Sequence, residues 1–98
     1  MDELANLFLS VAKQFFVGPI NLNGRTIPVA KTTRQGLKIA CFEANGHRIM
    51  AIEQNPRKPS EWGQLARRGH KVVQFLHENG GYLGNAVEEK ATIYKPRR

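Results

Sequence analysis

Residues 37 to 54 read Leu37-Lys38-Ile39-Ala40-Cys41-Phe42-Glu43-Ala44-Asn45-Gly46-His47-Arg48-Ile49-Met50-Ala51-Ile52-Glu53-Gln54. The central Asn-Gly suits a type I′ turn, in which both turn residues take positive φ, so the stretch predicts a hairpin of strands 37–44 and 48–54. A two-residue turn fixes the register, placing Glu43 opposite Arg48, Cys41 opposite Met50, Ile39 opposite Ile52 and Lys38 opposite Glu53. Both charged pairs are complementary, and a slip of one residue loses both. Cys41 falls mid-strand in an apolar alternation, where a buried small hydrophobe is the ordinary expectation.

The same dipeptide recurs on either side. Asn79-Gly80 pairs His77 with Tyr82, Phe75 with Gly84 and Lys71 with Glu88, predicting strands near 71–77 and 82–88. Asn23-Gly24 joins a short strand at 20–22 to one at 25–32, which Pro28 places at an edge or beside a bulge. Residues 91–94 can add a last strand. Ahead of these, Leu4, Leu7, Phe8, Val11, Ala12, Phe15 and Phe16 recur at helical spacing until Gly18-Pro19 and predict an amphipathic helix, with Leu9 off the stripe.

Between the two larger hairpins, Trp62, Leu65, Gly69, Val72, Val73 and Leu76 also share one helical face, which opens a reading as one long helix. Gly69 after Arg67-Arg68 is a good helix stop, and Val72-Val73-Gln74-Phe75 prefers a strand. The helix is therefore placed at about 60–68, with Ser60 as its cap. The expected fold is α+β: an N-terminal helix, an antiparallel β-meander of about four strands, a second helix and further β-hairpin strands. Ninety-eight residues support one core, so residues 1–98 form one expected domain, with a basic tail at 95–98.

Hydrophobic residues make up 41% and charged residues 23%, which is enough apolar material to fold. No apolar run approaches the roughly 18 residues of a membrane span. Met1-Asp2-Glu3 is acidic where a secretory leader is cationic, and the lone Cys41 cannot form an internal disulfide. A cytoplasmic protein is expected.

Fifteen Lys and Arg against eight Asp and Glu give a net charge of +7, which favours polyanionic partners. The excess is not uniform. Residues 17–42 hold Arg25, Lys31, Arg34 and Lys38 with no acid, and residues 54–71 hold Arg57, Lys58, Arg67, Arg68 and Lys71 against Glu61 alone. Lys95, Arg97 and Arg98 add the tail, and the intervening segments are slightly acidic.

Catalytic constellations are poorly served. Cys41, His47, His70 and His77 match no finger or ribbon spacing, so no metal is expected. Glu43, Glu53 and Glu88 already face cations across strands, and no phosphate-cradling loop appears. No cofactor and no catalytic residues are expected.

Nucleic-acid binding needs phosphate-neutralising cations beside flat side chains. Residues 57–71 carry Arg57, Lys58, Arg67, Arg68, His70 and Lys71 around Trp62, which fits a core position as well as a stacking platform. Arg34, Lys38 and Arg48 extend the basic set. Phe42, Phe75, Tyr82 and Tyr94 lie on expected strands, and about half of them belong to the core. The tyrosines are the better stacking candidates, because a phenol suits a half-wet surface.

The run Glu61-Trp62-Gly63-Gln64-Leu65-Ala66-Arg67-Arg68-Gly69-His70-Lys71-Val72-Val73-Gln74 resembles the ThermoDBP-related archaeal single-stranded DNA-binding proteins. That resemblance implies a compact domain unlike an OB-fold, binding single strands in a cleft with an apolar, aromatic base and a basic rim. Arg67, Arg68, His70 and Lys71 are the rim candidates under it. The family pattern adds a C-terminal coiled coil, and Lys95-Pro96-Arg97-Arg98 shows no heptads, so a short form is implied.

The expected function is non-catalytic binding of single-stranded DNA or RNA by Arg34, Lys38, Arg48, Arg57, Lys58, Arg67, Arg68, His70, Lys71, Phe75, Tyr82 and Tyr94. The alternative is a protein-interaction module in which the N-terminal helix meets a partner or a second copy and the cations serve solubility.

Overall fold

The computed structural model describes residues 3–32 and 34–94. Helix α1 spans Glu3–Phe15 and the strands Ile20–Leu22 (β1), Arg25–Ile27 (β2), Ala30–Lys31 (β3), Lys38–Ala44 (β4) and His47–Glu53 (β5) follow. Helix α2 is Glu61–Arg67, and Val72–His77 (β6), Tyr82–Val87 (β7) and Lys90–Ile93 (β8) complete the order. The fold is α+β, as the sequence implies. β1 and β2 form a separate hairpin, and the remaining strands form one antiparallel sheet ordered β3-β4-β5-β6-β7-β8.

One more strand precedes α2 than the sequence suggests. The expected 25–32 strand breaks because Pro28 has no N–H to offer a ladder, so β2 stops at Ile27 and β3 resumes on the other sheet. The basic tail 95–98 lies outside the described residues.

The central hairpin has the expected register, with Glu43 opposite Arg48, Cys41 opposite Met50 and Ile39 opposite Ile52. Asn45 and Gly46 take φ of 53° and 75°, as a type I′ turn requires. The charges use this register differently from the sequence expectation. The Arg48 guanidinium sits 3.6 Å from Glu78, one strand away. Glu53 accepts the backbone N–H of Lys38, whose ammonium instead donates to the Phe16 carbonyl at the end of α1. A cation at that position satisfies an acceptor at the helix C-terminus, where carbonyls lack the intrahelical donor.

The β6-β7 hairpin matches the expected pairing from Val72–Val87 to Phe75–Gly84 and then shifts, so that Leu76 rather than His77 opposes Tyr82. Asn79 keeps negative φ and accepts the Gly81 N–H on its side chain, so the connection is a longer turn closed between His77 and Gly81. Gly84 sits at the shift because a Cβ there would lie 2.1 Å from the Thr92 carbonyl oxygen.

α1 lays Phe8, Val11 and Phe15 on one face of the sheet, against Ala40, Phe42, Ile49, Ala51, Val73, Phe75 and Ala86. The apolar stripe packs inside the molecule, with each fully buried aromatic worth about 1.5–3 kcal/mol, while Leu9, off that stripe, is half-buried. Phe75 is fully buried, which corrects its place among the stacking candidates. Cys41 is exposed, because Ala40 and Phe42 take the α1 side and turn it to the opposite face.

α2 begins on Ser60, whose Oγ accepts the Gly63 N–H, and ends at Gly69. Gly69 takes φ of 94°, its N–H bonds to the Ala66 carbonyl and the His70 N–H to the Leu65 carbonyl, a Schellman closure.

Candidate nucleic-acid interface

The meander gathers what the sequence separates. β4 and β6 start, and β5 and β7 finish, at the same end of the sheet. The connections there, 32–37, 54–60 and 68–71, together with α2, carry Arg34, Arg57, Lys58, Arg67, Arg68, His70 and Lys71, with Lys31, Lys38 and Lys90 on the adjoining strand ends. The acids at this end are Glu53, Glu61, Glu88 and Glu89. Most cations of the two basic blocks thus gather in one rim, while Arg25 of the first block lies at the opposite end of the sheet near Glu43 and Glu78. Arg48 stands apart, at the opposite end with Glu78.

Part of the rim is already committed. The Arg67 guanidinium donates to the Pro56 carbonyl and, at 3.0 Å, to the Lys58 carbonyl, pinning the 54–60 connection to α2. His70 Nδ1 lies 2.5 Å from Glu88 Oε1, so Glu88 pairs with His70 rather than with Lys71. Arg34 and Arg57 line one depression with Asn55 and Pro56, which brings a residue from each block together.

The sheet face turned away from α1 carries Cys41, Met50, Leu76 and Tyr82 as one row across four adjacent strands. These side chains are exposed or half-buried. Tyr94 extends the row, its ring 5.3 Å from that of Tyr82 at 62°, and it is 51% exposed. The two tyrosines are thus the aromatic candidates that reach solvent together.

α2 closes the basic end of this face. The Trp62 side chain lies within hydrogen-bonding reach of Tyr82. The Tyr82 hydroxyl donates to Asn85 Oδ1, and Asn85 Nδ2 donates to Gln54 Oε1 and to the Val73 carbonyl, each at 3.2 Å. Asn85 and Gln54 are buried, and their polar atoms are satisfied by one another and by the backbone. Burial pushes the Tyr82 phenol above its ordinary range, and the Trp62 hydrogen bond opposes that rise. The network holds the Tyr82 ring in one orientation on an otherwise open surface.

The Cys41–Met50 pairing was readable from its hairpin register, whereas Met50 beside Leu76 joins two strands separated by α2, which no turn in the sequence fixes. The buried Asn85–Gln54 pair carries no local signal, since their sequence separation is large and neither lies in a motif. A second group missed by sequence is on the α1 side, where Lys38 and Lys71 each place an ammonium 5.8 Å from the Phe16 ring centre. Among the described residues no cluster of three or more His, Cys, Asp or Glu could hold a metal. No helix among them is long and apolar enough to cross a membrane.

The arrangement offers cations at one end of a surface with two part-exposed phenols, aliphatic side chains between them and no convergent acid pair. Such a surface can neutralise phosphates and stack flat rings. Comparison with protein-family models, with curated proteins and with solved structures finds no match to this chain.

Proposed function

We propose that this protein binds single-stranded nucleic acid without catalysing a reaction on it. One observation carries the proposal: cations from two separate sequence blocks meet at one end of a sheet whose open face presents Tyr82 and Tyr94. Bases lie on the Tyr82–Tyr94 surface and the backbone runs toward Arg34, Arg57, Lys58, Arg68 and Lys71. Single strands suit this surface because bases must be unstacked to reach a flat sheet face, whereas a duplex offers only its grooves and phosphates. Kinship with the ThermoDBP-related proteins belongs to the same proposal, as does a cytoplasmic location.

Fluorescence anisotropy with labelled single-stranded DNA, duplex DNA and single-stranded RNA, each at low and moderate salt, tests it. The expected result is single-strand binding that weakens with salt and persists at moderate ionic strength. Absence of single-strand binding at low salt overturns it.

A further inference from the structure

On the α1 side of the sheet, at the same basic end, a groove of about 400 Å³ is lined by Lys13, Phe16, Val17, His70, Lys71 and Glu88, with Ala12 and Gly69 completing its wall. Its composition is unusual for a surface that only finishes a helix. Val17 is 80% exposed, which leaves a branched aliphatic side chain in water with no packing return. Phe16 is half-buried next to it, edge-on to Phe15 at 5.1 Å. The ammonium groups of Lys38 and Lys71 flank the Phe16 ring, and Lys13 projects from the last turn of α1. Lys38 is occupied by the Phe16 carbonyl, and His70 by Glu88. Lys13 and Lys71 are both exposed and in no ion pair among the described residues.

Lys71 also fixes where the groove lies relative to the open face. It directly precedes β6, next to His70 and the end of α2, so the rim runs without a break from the connections at the sheet end to the groove behind it. The molecule extends 36 × 34 × 26 Å, so a strand rounding its basic end from one sheet face to the other stays within the roughly 4–16 nucleotides that single-strand sites commonly occupy.

We propose that the Phe16–Val17 groove is a second contact for the same nucleic-acid strand. A strand leaving the tyrosine face turns over the basic end, sets a phosphate between Lys13 and Lys71, and rests a base or sugar on Val17 and the exposed side of Phe16. This rests on the proposed single-strand binding and assigns it a path and a length. The charge complementarity of two unpaired lysines beside an apolar floor is what selects a phosphodiester chain as occupant.

The test compares oligothymidylates of about 5 and about 15 nucleotides, lengths that bracket common site sizes, on wild type, Lys13→Glu and Val17→Glu. These positions are exposed, and circular dichroism confirms that each variant is folded. The expected result is a loss of tenfold or more in affinity for the long oligomer with each variant, and a change of less than threefold for the short one. Tyr94→Ala weakens both lengths and so reports the first contact separately. An unchanged long-oligomer affinity in the groove variants overturns the proposal while leaving the tyrosine face intact, as does an equal loss at both lengths. Failure of wild type to bind either oligomer removes the single-strand reading and this one with it. A labelled polyglutamate peptide is the control occupant: if it binds wild type and is lost in the groove variants while long-oligomer affinity is unchanged, the groove takes acidic protein segments and the proposal falls.

Discussion

The rings of Phe8 and Phe75 lie face to face with centroids 3.9 Å apart and planes 1° from parallel. One belongs to α1 and the other to β6, so this pair is where the helix is fastened to the centre of the sheet. Truncating either ring leaves a void between two elements that cannot collapse independently. Phe8→Ala and Phe75→Ala each lower stability by about 3–5 kcal/mol in denaturant titrations. The double variant loses about 0.5–1.5 kcal/mol less than the sum, because the pair interaction is removed once.

Gly84 faces the Thr92 carbonyl oxygen so closely that a methyl group cannot be placed without moving β8. Gly84→Ala lowers stability by about 1–3 kcal/mol. It also raises amide exchange in β8 above that in β4, read by hydrogen-exchange mass spectrometry, because β8 is the strand displaced.

The Tyr82 phenol titrates above its ordinary value, first because burial disfavours the phenolate. A group whose folded value is raised contributes stability that is fully present below the unfolded value near pH 10 and is lost as pH rises through the folded value. Alkaline unfolding of wild type therefore sets in above pH ~10, and Tyr82→Phe removes that component of the pH dependence. Phenolate absorbance in the Tyr94→Phe background, which leaves one tyrosine, measures the shift directly.

Cys41 stands on the open face in the row that ends at Tyr82. In native protein it reacts with a water-soluble maleimide at a rate close to that of a free thiol. Bound single-stranded DNA slows that reaction at least fivefold if the strand covers the row, and mass spectrometry of the adduct reads the ratio.

Tyr94 is exposed enough to be replaced without disturbing the core. Tyr94→Ala weakens single-strand binding by about 1–3 kcal/mol, the value of one stacked base, and leaves the salt slope unchanged. Arg57→Ala with Lys58→Ala does the converse and reduces the slope by roughly one to two counterions. Anisotropy across a salt series separates the two effects.

The hairpin at Asn45-Gly46 was legible in the sequence because turn chemistry, alternation and two charge pairs all required one register. The β6-β7 turn was legible only in part, because Gly81 gives Asn79 the alternative of holding a backbone N–H on its side chain, which lengthens the turn and shifts the pairing at Leu76. Cys41 and Phe75 were misplaced for a different reason. In β4 both alternating sets, Ile39 with Cys41 and Ala40 with Phe42, are apolar, so periodicity sets the spacing without saying which set meets α1. Only the helix decides that, and its docking is a non-local event. The rim was legible as two charged blocks, whereas their convergence depends on the strand order.

Every strand of the six-stranded sheet pairs with its neighbour in the chain, but α1 packs against β6, β7 and β8. During synthesis the meander can therefore zip up progressively while the apolar stripe of α1, made first, waits for its seat to be built. Short sequence separations favour rapid hairpin formation, and closing the interval between α1 and β8 comes late. The nascent chain consequently carries Phe8, Val11 and Phe15 only partly covered until β6, β7 and β8 have been made, which makes that interval the period of greatest exposure to chaperones and to aggregation.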